Sequence, residues 1–441
     1  MSLENDGKER VSRKRVILST LCSIGDLYPY IAIGRGLQAR GHEVILATSE
    51  CYRQKVEALG LGFRPVRPDS DWMSDPKTMQ RMMDFRMGTV RIIREKLLPA
   101  LRKSYEDVLA ATEGADLLVS HPLAYADRLV SEKTGIPWVS TMITPYGFFS
   151  AYDLPWFPPA PVLSKRLRFL GPTFWRPVRV LNLLATRYWA EPWYRLREEI
   201  GLPQTSELNP LVNGHSKLLH LALFSKQLGN KQLDWPRHSV ITGFPTFDED
   251  GEAELPAELT RFLNDGPPPI VFTLSVSAAT VGGRFFEHSV AAAKLLGRRA
   301  VIIVGKNTQH RMPTLPDGIV AFEYVPFSKL FAHADVIVHA GGVGTTGLAM
   351  RSGRPMLVVP FGHDQPDNAD RLTRLGVSRT IPPNSYTPAR AAAELQCLFD
   401  TPTYFQRAAE VGEHVRHENG VRTACDEIDQ LLWNAPRVGV N

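Results

Sequence analysis

Short, continuously apolar runs alternate with longer stretches of helical spacing along most of the chain. Residues 15–20, 42–48 and 63–66 read as strands, since an unbroken apolar run marks a strand buried on both faces of a parallel sheet. Between them, 30–40 and 52–59 carry apolar residues at helical spacing, and the first stops at Gly41, a residue suited to a helix C-terminus. This βαβαβ opening is the half-unit of a doubly wound sheet. Further strands are predicted at 116–120, 138–144, 218–225 and 240–243, with a helix at 123–134. Residues 87–111 read as mostly helical with a break at Pro99, and 163–200 as helical with an interruption at Gly171-Pro172. Residues 68–84 read as irregular.

An acidic stretch at 248–252 reads as a linker, and the alternation then starts again. Strands are predicted at 270–274, 300–304, 319–324, 336–339 and 356–360, with helices between them and helices at 387–399, 404–415 and 420–433. The pattern divides the chain into an N-terminal domain, 1–245, and a C-terminal domain, 246–441.

Composition narrows the class. A chain of 441 residues, 44% hydrophobic and 22% charged, supports sizeable globular cores. A net charge of +5 is too small and too evenly spread to indicate nucleic acid. Cys22, Cys51, Cys397 and Cys425 lie far apart without a C-x-x-C, as reduced core thiols of a cytosolic protein do. Residues 1–15 lack the apolar core of a secretory signal, and no apolar run approaches the roughly 20 residues that span a bilayer. The expected location is cytoplasmic. Segment 163–200 places Lys165, Arg166, Arg168, Arg176, Arg179 and Arg187 beside Trp175, Trp189 and Trp193. Both peripheral contact with the inner membrane surface and a packing helix with a solvated face fit that pattern.

The chemistry concentrates where strands end. Val336-Ile337-Val338 runs into His339-Ala340-Gly341-Gly342-Val343-Gly344-Thr345-Thr346 and then into a helix. A strand, a glycine turn and a helix N-terminus form an anion site, because unpaired N–H groups and the helix dipole point outward there. The next strand ends in Gly362-His363-Asp364-Gln365, followed by Asn368. The turn from His339 through Thr346 is therefore the candidate anion site. Asp364 and Gln365 offer planar hydrogen-bonding ends to a polar ligand, with His363 and Asn368 as further candidates. Asp26, at the carboxyl end of the first strand, is the candidate general base, and a helix-capping role is compatible with that. His121, at the end of another strand, is a candidate assistant. The dense run Tyr146, Phe148, Phe149, Tyr152, Trp156 and Phe157 suits either the wall of an apolar pocket or a packing loop. Asp69-Ser70-Asp71 and Asp248-Glu249-Asp250 have metal-motif spacing but lie in loops, so they read as solvated acids and no metal is expected.

The whole assembly resembles the nucleotide-sugar-dependent glycosyltransferases of the UDP-glucuronosyltransferase family, which have the two-domain GT-B fold. Gly25-Asp26-Leu27-Tyr28-Pro29 and Arg40-Gly41-His42-Glu43-Val44 add to the resemblance. Thr134-Gly135-Ile136-Pro137, Asp234-Trp235-Pro236 and Gly243-Phe244-Pro245 make it similar to the rhamnosyltransferases of rhamnolipid biosynthesis. The resemblance implies two Rossmann-like domains facing a cleft, with the last helix crossing back to the first domain. It implies inverting, metal-independent transfer of a hexose from a UDP- or dTDP-sugar, used as co-substrate, to a hydroxyl of a hydrophobic acceptor. It places the turn from His339 through Thr346 at the diphosphate, Asp364 and Gln365 at the sugar hydroxyls with His363 and Asn368 as second-rank choices, Tyr324 and Val325 at the nucleobase, and Ser275 and Ser277 near the phosphates, although Leu274 stands where relatives usually carry Gly. A nucleotide-sugar epimerase and a non-catalytic partner protein of the same fold are the competing classes.

Overall fold

The computed structural model describes residues 13–21, 23–156, 165–248, 254–305 and 315–434, apart from the side chains of Val276 and Ser277. Among them, one sheet contains β1 (Arg15–Ser19), β2 (Glu43–Thr48), β3 (Gly62–Pro65), β4 (Leu117–Ser120), β5 (Trp138–Met142), β6 (Leu219–Ala222) and β7 (Ser239–Ile241). Its spatial order is β3-β2-β1-β4-β5-β6-β7. A second sheet contains β8 (Ile270–Thr273), β9 (Ala300–Ile303), β10 (Ile319–Phe322), β11 (Val336–His339), β12 (Met356–Val358) and β13 (Ser378–Thr380), in the order β10-β9-β8-β11-β12-β13. All the paired strands run parallel. The strand order reverses between β1 and β4 in one sheet and between β8 and β11 in the other. Those switch points, at the carboxyl ends of the strands, are where open α/β sheets accept ligands.

Five helices position the site: α1 (Ile24–Ala39), α2 (Gly171–Ala185), α3 (Val343–Ser352), α4 (Gln365–Arg374) and α5 (Gly420–Asn434). Helix α1 starts earlier than the sequence spacing predicts. Ser23 and Asp26 form a capping box that fixes its first turn, and Pro29 is carried inside it. Within the stretch that reads as irregular, Asp75 caps a helix at Pro76–Met82, its carboxylate accepting the Thr78 N–H at 2.9 Å. Strand β13 is a further departure, because Ser-Arg-Thr at a sheet edge has no apolar run to mark it. The break expected at Pro99 is instead a change of helix type: a π-helical turn at Ile92–Leu97 precedes the helix Leu98–Ala111. Cys425 is buried, as a core thiol should be, whereas Cys51 is exposed.

The two sheets are joined by an apolar cluster in which Met142, Phe148, Phe224 and Trp235 of the first meet Val271, Ile337, Met350 and Leu372 of the second. Helix α5 then crosses back and packs on α1. Gly36 faces Val421 and Cys425 so closely that a Cβ there would come within 2.7 and 2.8 Å of them. Arg40 pairs with Asp426 and Asp429 at 2.7 Å each, and the His42 Nε2 lies 2.8 Å from Asp429. Among the described residues no helix is long and apolar enough to cross a membrane.

The first residue of α5 sets how closely it follows the interdomain connection. A Cβ on Gly420 would lie 2.4 Å from the Phe244 carbonyl carbon and 2.5 Å from its oxygen. Backbone cannot swing aside as a side-chain tip can. Gly420→Ala is therefore expected to destabilise the protein by about 1–3 kcal/mol, read as a lower urea midpoint with little change in slope.

Candidate active site

The two switch points face one cavity of about 950 Å³. From the first sheet, β1 delivers Asp26 and β4 delivers His121. Asp26 divides its oxygens between two tasks. Oδ2 accepts the Ser23 N–H at 2.9 Å and the Ser23 hydroxyl at 2.6 Å, completing the helix cap. Oδ1 lies 3.4 Å from His121 Nε2. His121 Nδ1 accepts the Leu123 N–H at 3.2 Å, so in the neutral ring the proton sits on Nε2, facing Asp26. At 3.4 Å this contact is chiefly electrostatic, and Nε2 makes no hydrogen bond of ordinary geometry. The Asp26 side chain is 20% exposed and that of His121 1%, so Asp26 is the member of the pair that a ligand can reach. Burial pushes the Asp26 carboxyl up, but His121 and the Ser23 bonds outweigh it and hold the group below its ordinary range.

From the second sheet, β11 ends in the glycine turn. Gly341 has φ +87°, and a Cβ there would meet Val358 at 2.8 Å, so the turn requires glycine. Gly342 and Gly344 differ: a Cβ on either would meet nothing within 4 Å. Their backbone borders open space in the cavity, beside the N–H groups of Val343, Gly344 and Thr345 that open α3 without intrahelical acceptors. Together they can bind an anion.

Several expected ligands of the donor act one step behind it. His339 is fully buried and does not line the cavity. Its Nδ1 accepts the Gly341 N–H at 3.1 Å, which supports the turn, and burial lowers the ring to about 4, so it is neutral. The Thr346 N–H is spent on the Gly342 carbonyl at 2.9 Å and its hydroxyl is buried. Val325 is a core residue. Asn368 is fully buried: its amide donates to the Gly341 carbonyl at 2.9 Å and to Asp364 Oδ2 at 2.7 Å, and it accepts from the Thr144 hydroxyl at 3.1 Å. His339, Thr346 and Asn368 support the turn from behind, and none of the four residues lines the cavity.

Asp364, Gln365, His363, Tyr324 and Ser275 do line it. Gln365 Oε1 accepts the N–H groups of Phe361 and Gly362 at 2.8 and 3.3 Å, which leaves its amide N–H groups for a ligand. His363 takes φ +57° and places Nδ1 3.0 Å from the Thr89 hydroxyl of the other domain. Ser275 caps the short helix Val276–Val281, and the Ser277 side chain lies outside the described residues. The Tyr324 hydroxyl donates to Asp248 Oδ1 at 2.8 Å, and Asp248 Oδ2 accepts the Ser328 N–H at 3.0 Å. Asp248 therefore fastens the interdomain connection instead of standing solvated. Asp69 and Asp71 each accept a backbone N–H. No group of three or more His, Cys, Asp and Glu side chains among the described residues is placed to hold a metal ion.

The sequence matches the Glycosyltransferase family 28 N-terminal domain over residues 16–147. It also matches the Erythromycin biosynthesis protein CIII-like C-terminal domain over residues 290–432. It is 32% identical to the O-mycaminosyltylonolide 6-deoxyallosyltransferase of Streptomyces fradiae, across 94% of this chain and 97% of that one. The chain belongs to the GT-B glycosyltransferases. The Candida albicans sterol 3-beta-glucosyltransferase is 27% identical over 94% of this glycosyltransferase, which spans only 27% of that longer protein. The fold is shared with the glycosyltransferase VinC, solved in complex with dTDP, at a TM-score of 0.66 and 19% identity over 96% of this chain and all of that one.

The apolar part of this glycosyltransferase's cavity differs most from expectation. Tyr146 and Phe149 line it. Phe148 does not: its ring stacks on Trp235 at 3.8 Å between centroids, inside the core. Tyr152 is bonded by Arg176, whose guanidinium lies over its ring. Trp156 packs its ring against Phe85 and gives its backbone N–H to Asp367 at 2.7 Å. Phe157 lies outside the described residues. The walls come instead from Met79, Met82, Met83, Ile92 and Ile93, and from Trp175, Val178, Leu183 and Trp189 on and beside α2. The methionine spacing was the available signal; Met is flexible and polarisable, and suits a surface that must adapt to a ligand.

Burial, with the nearby charge of Asp26, pushes the Asp364 carboxyl up from 3.8 to about 7. A folded-state value above the unfolded one means that the unfolded chain binds fewer protons in between. The contribution of Asp364 to stability is present below the unfolded value and is lost as pH rises through about 7. Asp367 adds a smaller push in the same direction, and Asp26→Asn removes the larger of the two neighbouring charges. The Asp364 titration, followed by carbon-13 NMR of labelled carboxyls, is then expected to move to lower pH; an unmoved midpoint would leave burial and Asp367 as its causes.

Proposed function

We propose that this glycosyltransferase moves a hexose from a dTDP- or UDP-sugar to a hydroxyl group of a lipophilic acceptor, with inversion and without a metal. The observation that carries the reading is Asp26 Oδ1, the oxygen that the helix cap leaves unused. It faces a single cavity that is apolar on one side and ends in the glycine turn and the α3 N-terminus on the other. An acceptor in the apolar lobe brings its hydroxyl to Asp26 Oδ1. The new bond to the anomeric carbon forms as the bond to the diphosphate breaks, and the proton passes to Oδ1. Asp26 is a weak base in the ground state. Its help comes late, when the attacking oxygen is already bonded to carbon and its proton has become acidic. His121 Nε2–H steadies the carboxylate. The N–H groups of Val343, Gly344 and Thr345 receive the charge of the departing diphosphate, a preorganised stabilisation that needs no cation. A single displacement between base and leaving group inverts the anomeric centre.

The relatives support this breadth of substrate. One is named for a 6-deoxyhexose transfer to a tylonolide derivative and another for glucose transfer to sterols, and VinC was solved with dTDP. Transfer of rhamnose to a lipid hydroxyl is one case within the same reading. An epimerase has one specific observation in its favour, the electrostatic coupling of Asp26 and Asp364 across the cleft. The large apolar lobe beside Asp26 favours transfer, since an epimerase has no acceptor to house.

The test offers dTDP- and UDP-sugars with hydroxylated macrolactones, sterols and fatty alcohols, and follows nucleoside diphosphate release. Asp26→Asn is expected to lower kcat by about 10²–10⁴-fold with the affinity for dTDP nearly unchanged. Conversion of the sugar nucleotide to its epimer without any acceptor would favour the second reading.

A further inference from the structure

Helix α2 is apolar on two sides. Its inner side, Trp175, Val178 and Leu183, lines the cavity. Its outer side carries Phe174, Leu181 and Leu184, which are 42%, 64% and 48% exposed. Phe169 before the helix and Tyr188 after it are 80% and 63% exposed. The spacing 174, 181, 184 keeps the three helical side chains on one face. An exposed apolar patch on a folded protein marks a contact surface.

Charge decides which contact. Between Leu154 and Ala190 the sequence has Lys165, Arg166, Arg168, Arg176, Arg179 and Arg187, and neither Asp nor Glu. Some of these cations are engaged elsewhere: Arg168 and Lys165 pair with Asp370, Arg176 bonds the Tyr152 hydroxyl, Arg179 the Asn213 side chain, and Arg187 lies over the Tyr194 ring. Arg166, Arg176 and Arg187 nevertheless remain exposed within the same segment. A second copy docking here would bring the same positive charges against them, which opposes self-association. An anionic bilayer offers both complements: negative headgroups for the arginines, and an acyl boundary for the leucines and aromatic rings.

We propose that the outer face of α2, with Phe169 and Tyr188 at its ends, docks this protein on an anionic lipid surface. Insertion is shallow, with the helix lying in the plane of the interface. The surface stands apart from the catalytic groups and does not depend on which sugar or acceptor is used.

The experiment sediments the full chain with vesicles of phosphatidylcholine with and without phosphatidylglycerol. Binding to the anionic vesicles is expected to be at least about tenfold stronger than to neutral ones, and to weaken as salt is added. The double variant Phe169→Ser, Leu181→Ser is expected to bind at least about tenfold more weakly, with an unchanged circular dichroism spectrum and unchanged stabilisation by dTDP. Leu233→Ser, at a residue 85% exposed outside this segment, should bind like the parent. Equal binding by the double variant, or no binding to either vesicle, overturns the proposal. So does a dimer in sedimentation velocity that Leu181→Arg dissolves, which would assign the face to a second copy.

Discussion

One buried amide holds the two halves of the site in register. Asn368 donates to the carbonyl of the glycine turn and to Asp364, and accepts from Thr144 in the other domain. Each polar atom of its side chain is therefore spent. In a buried setting, loss of any one partner leaves a desolvated group unpaired, so the three bonds stand or fall together. The rest of α4 repeats the theme on its other sides. Arg371, buried among carboxylates, joins Asp367 of its own helix to Asp153 of the N-terminal domain, and Asp367 takes the Trp156 N–H. The helix that opens with Asp364 and Gln365 on the cavity is thus anchored in the N-terminal loop that carries Asp153 and Trp156.

The fold was legible because its central strands are buried on both faces, which forces unbroken apolar runs. Legibility failed where that constraint lapses. Ser378-Arg379-Thr380 pairs only at a sheet edge, and the helix at Pro76–Met82 depends on an Asp cap in a stretch rich in loop-forming residues. In the site, the glycine turn could be read as an anion cradle from residue types alone. The direction in which each side chain points could not. His339, Thr346, Val325 and Asn368 belong to the motif and turn away from the cavity. The apolar lobe was the least legible part, since residues near 80, 92 and 180 meet only in three dimensions, while Phe148 finds Trp235 instead of a ligand.

Asp26 shows why a structural and a catalytic reading of one residue need not compete. Its capping bonds fix the carboxylate through Oδ2, and that same restraint leaves Oδ1 aimed at His121 and the cavity. The first turn of α1 therefore serves as the mount of the proposed base, and its orientation is settled by the fold before any ligand arrives. Little conformational freedom remains to be lost at that atom on binding.

The contacts around α4 also bear on how such enzymes can be recombined. The connection between the sheets is the natural seam for joining the first half of one relative to the second half of another. A hybrid cut there keeps each sheet whole, yet it separates Thr89 from His363, Thr144 from Asn368, Asp153 from Arg371 and Arg168 from Asp370. Compatibility of two parents is written in those four pairs more than in the linker. A chimera that carries its parent's Thr89, Thr144, Asp153 and Arg168 along with α4 preserves the fit of the two halves around the cavity, whichever apolar lobe it inherits.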